Sequence, residues 1–84
     1  MQKWMVELAL NRKPDEAVMA AAPQERARVD ELMQQGIVET RYIAADRTHI
    51  WLVMRGETQV DIDTLIKTLP MHAFFNVTVF ALNA

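Results

Sequence analysis

The apolar residues of this chain repeat with period two, then about 3.6, then twice more with period two, then 3.6 and finally two, all within 84 residues. Strands alternate side chains between faces, and helices return to one face every three to four residues. That order therefore limits the chain to strand, helix, strand, strand, helix, strand. In the first segment, Lys3 to Asn11, Trp4, Val6, Leu8 and Leu10 share one face and Met5, Glu7 and Ala9 the other. Asn11 to Asp15 has turn chemistry, with Pro14 just before a helix start.

From Asp15 to Gln35 the period is helical, with Asp15 and Glu16 at the end where partial positive charge collects. Pro23 either kinks one helix or begins a second. Glu25, Val29, Leu32 and Met33 fall on one stripe, and Gly36 ends the helix. Ile37 to Ala45 and Thr48 to Arg55 read as two strands of a hairpin linked through Asp46-Arg47. Thr58 is a candidate N-cap, with Asp61 three residues on, for a helix from Val60 to Leu69 that Pro70 stops. Ile62, Leu65, Ile66 and Leu69 form its apolar stripe, and Phe74 to Leu82 is the last strand. These elements make a single α+β domain over residues 1–84, the ferredoxin-like βαββαβ arrangement with a four-stranded antiparallel sheet.

Two helices cover one face of such a sheet, and the other face is expected to be polar if it meets water. Here it is not. Ile50, Leu52 and Met54 alternate with Trp51 and Val53, and Phe75, Val77 and Val79 stand opposite Phe74, Phe80 and Leu82. The composition is 51% hydrophobic, too much for the interior of so small a domain. Self-association through the open face is the expected outlet, giving a homodimer or higher homo-oligomer.

The net charge is −2, and the nine Lys and Arg are scattered from Lys3 to Lys67, which argues against a nucleic-acid partner. No apolar run approaches the roughly 18 residues that span a bilayer, so no membrane partner is expected. Glu7 and Arg12 interrupt any secretion-signal pattern, and a cytoplasmic location is the expectation. There is no cysteine, and no metal-ligand spacing is present.

Two stretches carry a family resemblance. One is Thr64-Leu65-Ile66-Lys67-Thr68-Leu69-Pro70-Met71 followed by Phe74-Phe75-Asn76-Val77-Thr78-Val79; the other is Asp30-Glu31-Leu32-Met33-Gln34-Gln35-Gly36. In this order and spacing they resemble the muconolactone isomerase family of small dimeric α+β-barrel proteins, and the likeness runs from Lys3 to Leu82. The resemblance implies proton transfer in a five-membered unsaturated lactone without metal or cofactor, or, as in some relatives, elimination of chloride from a chlorinated lactone. The family's acid/base glutamate falls on Glu25 when the helix-end glycine is aligned with Gly36. A polar third-strand position falls on His49, given a one-residue deletion in the preceding hairpin. A family lysine before the glutamate is replaced by Ala20-Ala21-Ala22, and a hairpin glycine by Ala45.

Glu25 shares a stripe with Val29 and Leu32, and a carboxylate turned toward the sheet would have the raised pKa that a proton shuttle needs. Its plain alternative is a first-turn acid after Pro23, paired with Arg26 or Arg28. His49 alternates with Trp51 onto the open face, away from Glu25, where an interface histidine is the competing role. His72 follows Leu-Pro in a loop, and Trp4, Tyr42, Trp51, Phe74, Phe75 and Phe80 are either the wall of an apolar ligand site or simply core and interface. Arg12, Arg41 and Arg47 are the cations available to an anionic substrate, while Arg26, Arg28, Asp30 and Glu31 read as a solvated helix face. Two functions follow. One is a cofactor-free isomerase or lyase acting on a small lactone or cyclic acid; the other is a non-catalytic small-molecule binding or accessory protein on the same fold.

Overall fold

The computed structural model describes residues 2–83. Strand β1 (Lys3–Leu10) leads to helix α1 (Glu16–Gln34), strands β2 (Val38–Ile43) and β3 (His49–Arg55), helix α2 (Gln59–Ile66) and strand β4 (Phe75–Leu82). One 3₁₀ turn, His72–Phe74, precedes β4. The sheet order is β2-β3-β1-β4, with every neighbouring pair antiparallel. This is the βαββαβ arrangement expected from the hydrophobic period.

Helix α1 is continuous through Pro23, so the proline neither starts a second helix nor ends the first. The Asp15 carboxylate accepts from the Val18 amide at 3.0 Å and caps the N-terminus. At the other end, the Gly36 amide donates to the Met33 carbonyl and the Ile37 amide to the Leu32 carbonyl. That pair of bonds is a Schellman ending, and it needs a left-handed residue; Gly36 supplies it at φ +75°. Thr58 caps α2 by accepting from the Asp61 amide. Helix α2 stops at Ile66, earlier than expected, and single turns carry the chain to a buried Leu69.

Val6 and Leu8 of β1, with Leu52 and Met54 of β3, are buried against Val18, Val29 and Leu32 of α1 and Ile62 and Ile66 of α2. Both helices therefore cover one face. Met5, Glu7, Trp51 and Val53 point to the other face and are half-buried; Tyr42 and Phe80 there are 59% and 50% exposed. The strand-three register is as expected, with Leu52 inside and Trp51 on the open side.

The hairpin differs from expectation in two ways. Four residues, Ala45 to Thr48, span it: the Ala44 amide donates to the His49 carbonyl at 2.9 Å and the Arg47 amide to the Ala44 carbonyl at 2.8 Å. Arg47 is left-handed at φ 63°, and the Asp46 carboxylate accepts from both the amide and the hydroxyl of Thr48. A two-residue link at Asp46-Arg47 is thus replaced by a longer loop built on an Asx turn. The second difference is a register shift in β2. Val38 pairs with Met54 and Thr40 with Val53, so Glu39 is the extra residue of a bulge. Beyond it the faces exchange, and Arg41 and Ile43 join Val38 on the helix side.

Candidate functional site

A cavity of about 540 Å³ opens between α1 and the end of the sheet where β1 finishes and the β2–β3 hairpin turns. Leu10, Val18, Val29, Ile50, Met71 and Phe75 give it apolar walls. Glu25, Arg26, Arg41, Asp46 and Arg47 bring charge to it.

Glu25 is 4% exposed. It sits in the middle of α1, one turn before Val29, because nine residues of helix precede it. The first-turn alternative is therefore removed, and so is its pairing: Arg28 goes to Glu31 and the Thr68 hydroxyl. One Glu25 oxygen, Oε1, accepts from the Met71 backbone N–H at 2.9 Å. The other, Oε2, is buried with no hydrogen-bond partner among the described residues. Loss of hydration disfavours the charged form and pushes the carboxyl above its usual 4.5; the Met71 amide opposes this in part. The result is a carboxyl whose proton is exchangeable nearer neutrality, with one oxygen free to act.

That shift has a measurable consequence for stability. The folded chain holds the Glu25 proton more tightly than the unfolded chain does. The protonated group thus favours the fold below about 4.5, and the advantage is lost as pH rises through the raised value. Glu25→Gln cannot titrate. Wild type is expected to lose stability relative to Glu25→Gln as pH rises from 4 toward 8, read as the difference in melting temperature. Parallel pH profiles would show that the carboxyl is solvated.

Arg41 reaches the cavity because the β2 bulge turns it inward, and its Nη1 donates to Asp30 Oδ1 at 2.8 Å. Arg26 is exposed on the expected solvated face and borders the cavity, while Asp30, on the same face, holds Arg41. Among the described residues, Arg26 and Arg47 make no ion pair. Asp46 is held below the usual carboxylate range by the Thr48 hydroxyl and amide, so it stays anionic at the rim.

The structure brings Glu25 and Phe75 together at this cavity, with Arg41 and Arg47. It does not bring the remaining candidates there. His49 lies on the open sheet face, its ring stacked on Trp51 at 5.6 Å and its Nε2 4.0 Å from Glu7 Oε1. Tyr42 and Trp51 pair on that same face. Trp4 is near the far end of β1, where its indole N–H donates to the Gly56 carbonyl at 3.1 Å. His72 borders a separate shallow hollow of about 150 Å³ with Asp63 and Lys67. Arg12 lies over the Phe74 ring and pairs with Asp15, outside the cavity lining. Arg26 and the Met71 amide are participants that the hydrophobic pattern did not signal.

Residues 3–84 match the family described as muconolactone delta-isomerase. The chain belongs to that family. Among solved structures it is similar to the 5-chloro-2-hydroxyhydroquinone dehydrochlorinase of Burkholderia phenoliruptrix AC1100 in complex with 2,5-dihydroxybenzoquinone. That likeness has a TM-score of 0.79 at 12% identity and covers 96% of this chain and 93% of the other, which establishes a common fold. No curated protein shows a significant match. The family is thus one of isomerases that act on a small molecule. No helix among the described residues is long and apolar enough to cross a membrane, and no three His, Asp or Glu side chains converge on a metal position there.

Proposed function

We propose that this chain is a muconolactone isomerase-like enzyme that moves a double bond in a small unsaturated lactone or cyclic acid, with Glu25 as the proton carrier and no cofactor. The observation that carries the reading is the buried Glu25, half-satisfied by one backbone N–H, in the wall of a cavity with an arginine-bearing rim. As carboxylate, Glu25 takes a proton from a carbon adjoining the conjugated system. The C–H electron pair enters that system and comes to rest as negative charge on the ring carbonyl oxygen. Glu25, now the acid, returns the proton to a second carbon as the charge flows back, and the double bond has moved. Where the substrate carries a leaving group next to the deprotonated carbon, the same first step ends in elimination. A general base of raised pKa suits this task, because its greater basicity favours removal of a carbon-bound proton.

The proposal includes assembly of at least two chains through the open sheet face, and a cytoplasmic role in breakdown of aromatic compounds that rests on the family. The direct test follows a carbon-bound proton of an unsaturated lactone in deuterated water by NMR. Enzyme-dependent exchange is expected. Binding without exchange would sink the catalytic reading and leave a non-catalytic binding or accessory protein.

A further inference from the structure

We propose that Arg28 and Thr68 form a clamp between α1 and the turn after α2 that holds the Met71 N–H on Glu25, which makes both of them positioning residues for the proton carrier. The inference deepens the proposed function and rests on the same carboxyl. Glu25 and Arg28 stand three residues apart on α1, so both side chains leave the helix on one side. Both end on the same turn. Glu25 Oε1 accepts from the Met71 N–H at 2.9 Å, and Arg28 donates to the Thr68 hydroxyl through Nε at 3.2 Å and Nη2 at 3.0 Å. Among the described residues, these are the side-chain hydrogen bonds that tie α1 to residues 67–71.

The turn needs such a tie. Helix α2 stops at Ile66, and only single turns carry the chain on to Met71, with the Thr68, Leu69 and His72 amides donating to the Leu65, Ile66 and Leu69 carbonyls at 3.0 Å. Pro70 has no N–H to add. Leu69 and Met71 are buried, but apolar packing is non-directional and does not aim an N–H. The Thr68 hydroxyl receives Arg28 on one side and donates to the Leu65 carbonyl at 2.6 Å on the other, so the clamp reaches the last turn of α2. Arg28 also favours this contact over the charge beside it. It places two N–H groups on a neutral hydroxyl and one, at 3.4 Å, on Glu31. Arg26, Arg41, Asp46 and Arg47 are the other charged groups at the cavity, yet what acts on the Glu25 proton is burial, opposed by the Met71 N–H. Slackening the clamp removes the contact that favours the ionised form, and the carboxyl then holds its proton more tightly.

The test is an NMR titration of the Glu25 carboxyl in glutamate-labelled protein, its signal assigned by its absence from Glu25→Gln. Wild type is compared with Thr68→Val, Thr68→Ser, Arg28→Met and Glu31→Gln. Thr68 is exposed and Arg28 half-buried, so these variants are expected to fold. Thr68→Val and Arg28→Met are each expected to raise the proton affinity of Glu25 at least ~3-fold, read as a midpoint moved to higher pH, with faster hydrogen exchange at the Met71 amide. Combining them should move the midpoint no further than either alone, because each breaks the same clamp. Thr68→Ser keeps the hydroxyl and should titrate as wild type does, and so should Glu31→Gln. A merely structural clamp predicts lower melting with an unmoved midpoint. The proposal is overturned by that result, by additive shifts in the double variant, or by Thr68→Ser or Glu31→Gln behaving as Thr68→Val. Failure of the proton-transfer reading is separable: absent lactone exchange in deuterated water, with the midpoint still raised by Thr68→Val, removes the chemistry and keeps the clamp.

Discussion

Glu25→Gln is expected to lower proton exchange on an unsaturated lactone by about 10²–10⁴-fold while leaving fold and assembly intact. The amide keeps the shape of the side chain and can still accept the Met71 N–H through its oxygen, so the hydrogen bond at 2.9 Å has a replacement. What it cannot do is take a proton from carbon. Burial is the reason a large effect is expected. Glu25 is 4% exposed, so water is poorly placed to substitute as base, and no other carboxyl with a raised pKa lines the cavity among the described residues. Equal exchange by wild type and variant would reduce Glu25 to a structural acid and turn attention to His49 and His72, which lie elsewhere.

Trp51→Asp is expected to convert a stable assembly into a 9.7 kDa monomer, whereas Leu52→Ala is expected to lower fold stability and leave association largely unchanged. The two residues are neighbours on β3 with opposite surroundings. Leu52 is fully buried beneath the helices, so truncation leaves a cavity that costs about 2–5 kcal/mol. Trp51 stands on the open face between Glu7 and Tyr42, with Met5, Val53 and Phe80 on the same face. A second copy is the occupant we propose, because that apolar strip runs across all four strands and an aspartate at its centre would have to be desolvated without a partner. Analytical ultracentrifugation at micromolar concentration separates the outcomes. A wild-type monomer, or an assembled Trp51→Asp, would remove the case for this face.

The architecture was legible because each element keeps its own period, and the stripe that Glu25 shares with Val29 was legible too, but its burial stayed open against a first-turn acid because Pro23 could have begun a new helix. Two features were not. Nothing in Ile37 to Ala45 marks Glu39 as the extra residue of a bulge, so plain alternation puts Arg41 on the same face as Ile43 but opposite Val38. The hairpin loop was hidden for a related reason: its left-handed position is an arginine, which carries none of the turn signal that glycine or asparagine would. Both omissions concern the cationic side of the cavity. Local rules were broken there, and such breaks are where a site departs from what folding alone requires.

The pairing of β1 with β4 joins Lys3 to Leu82, and β4 follows directly on the turn that supplies the Met71 amide. A nascent chain that has made only its first five elements thus has β1 with one edge open and Glu25 without its donor. Loop closure over most of the chain must precede that last pairing, which makes it a late event in folding. Maturation of the site and sealing of the sheet are then one step. A partly made chain exposes an unpaired β1 edge, and edge-to-edge aggregation is the hazard of the interval.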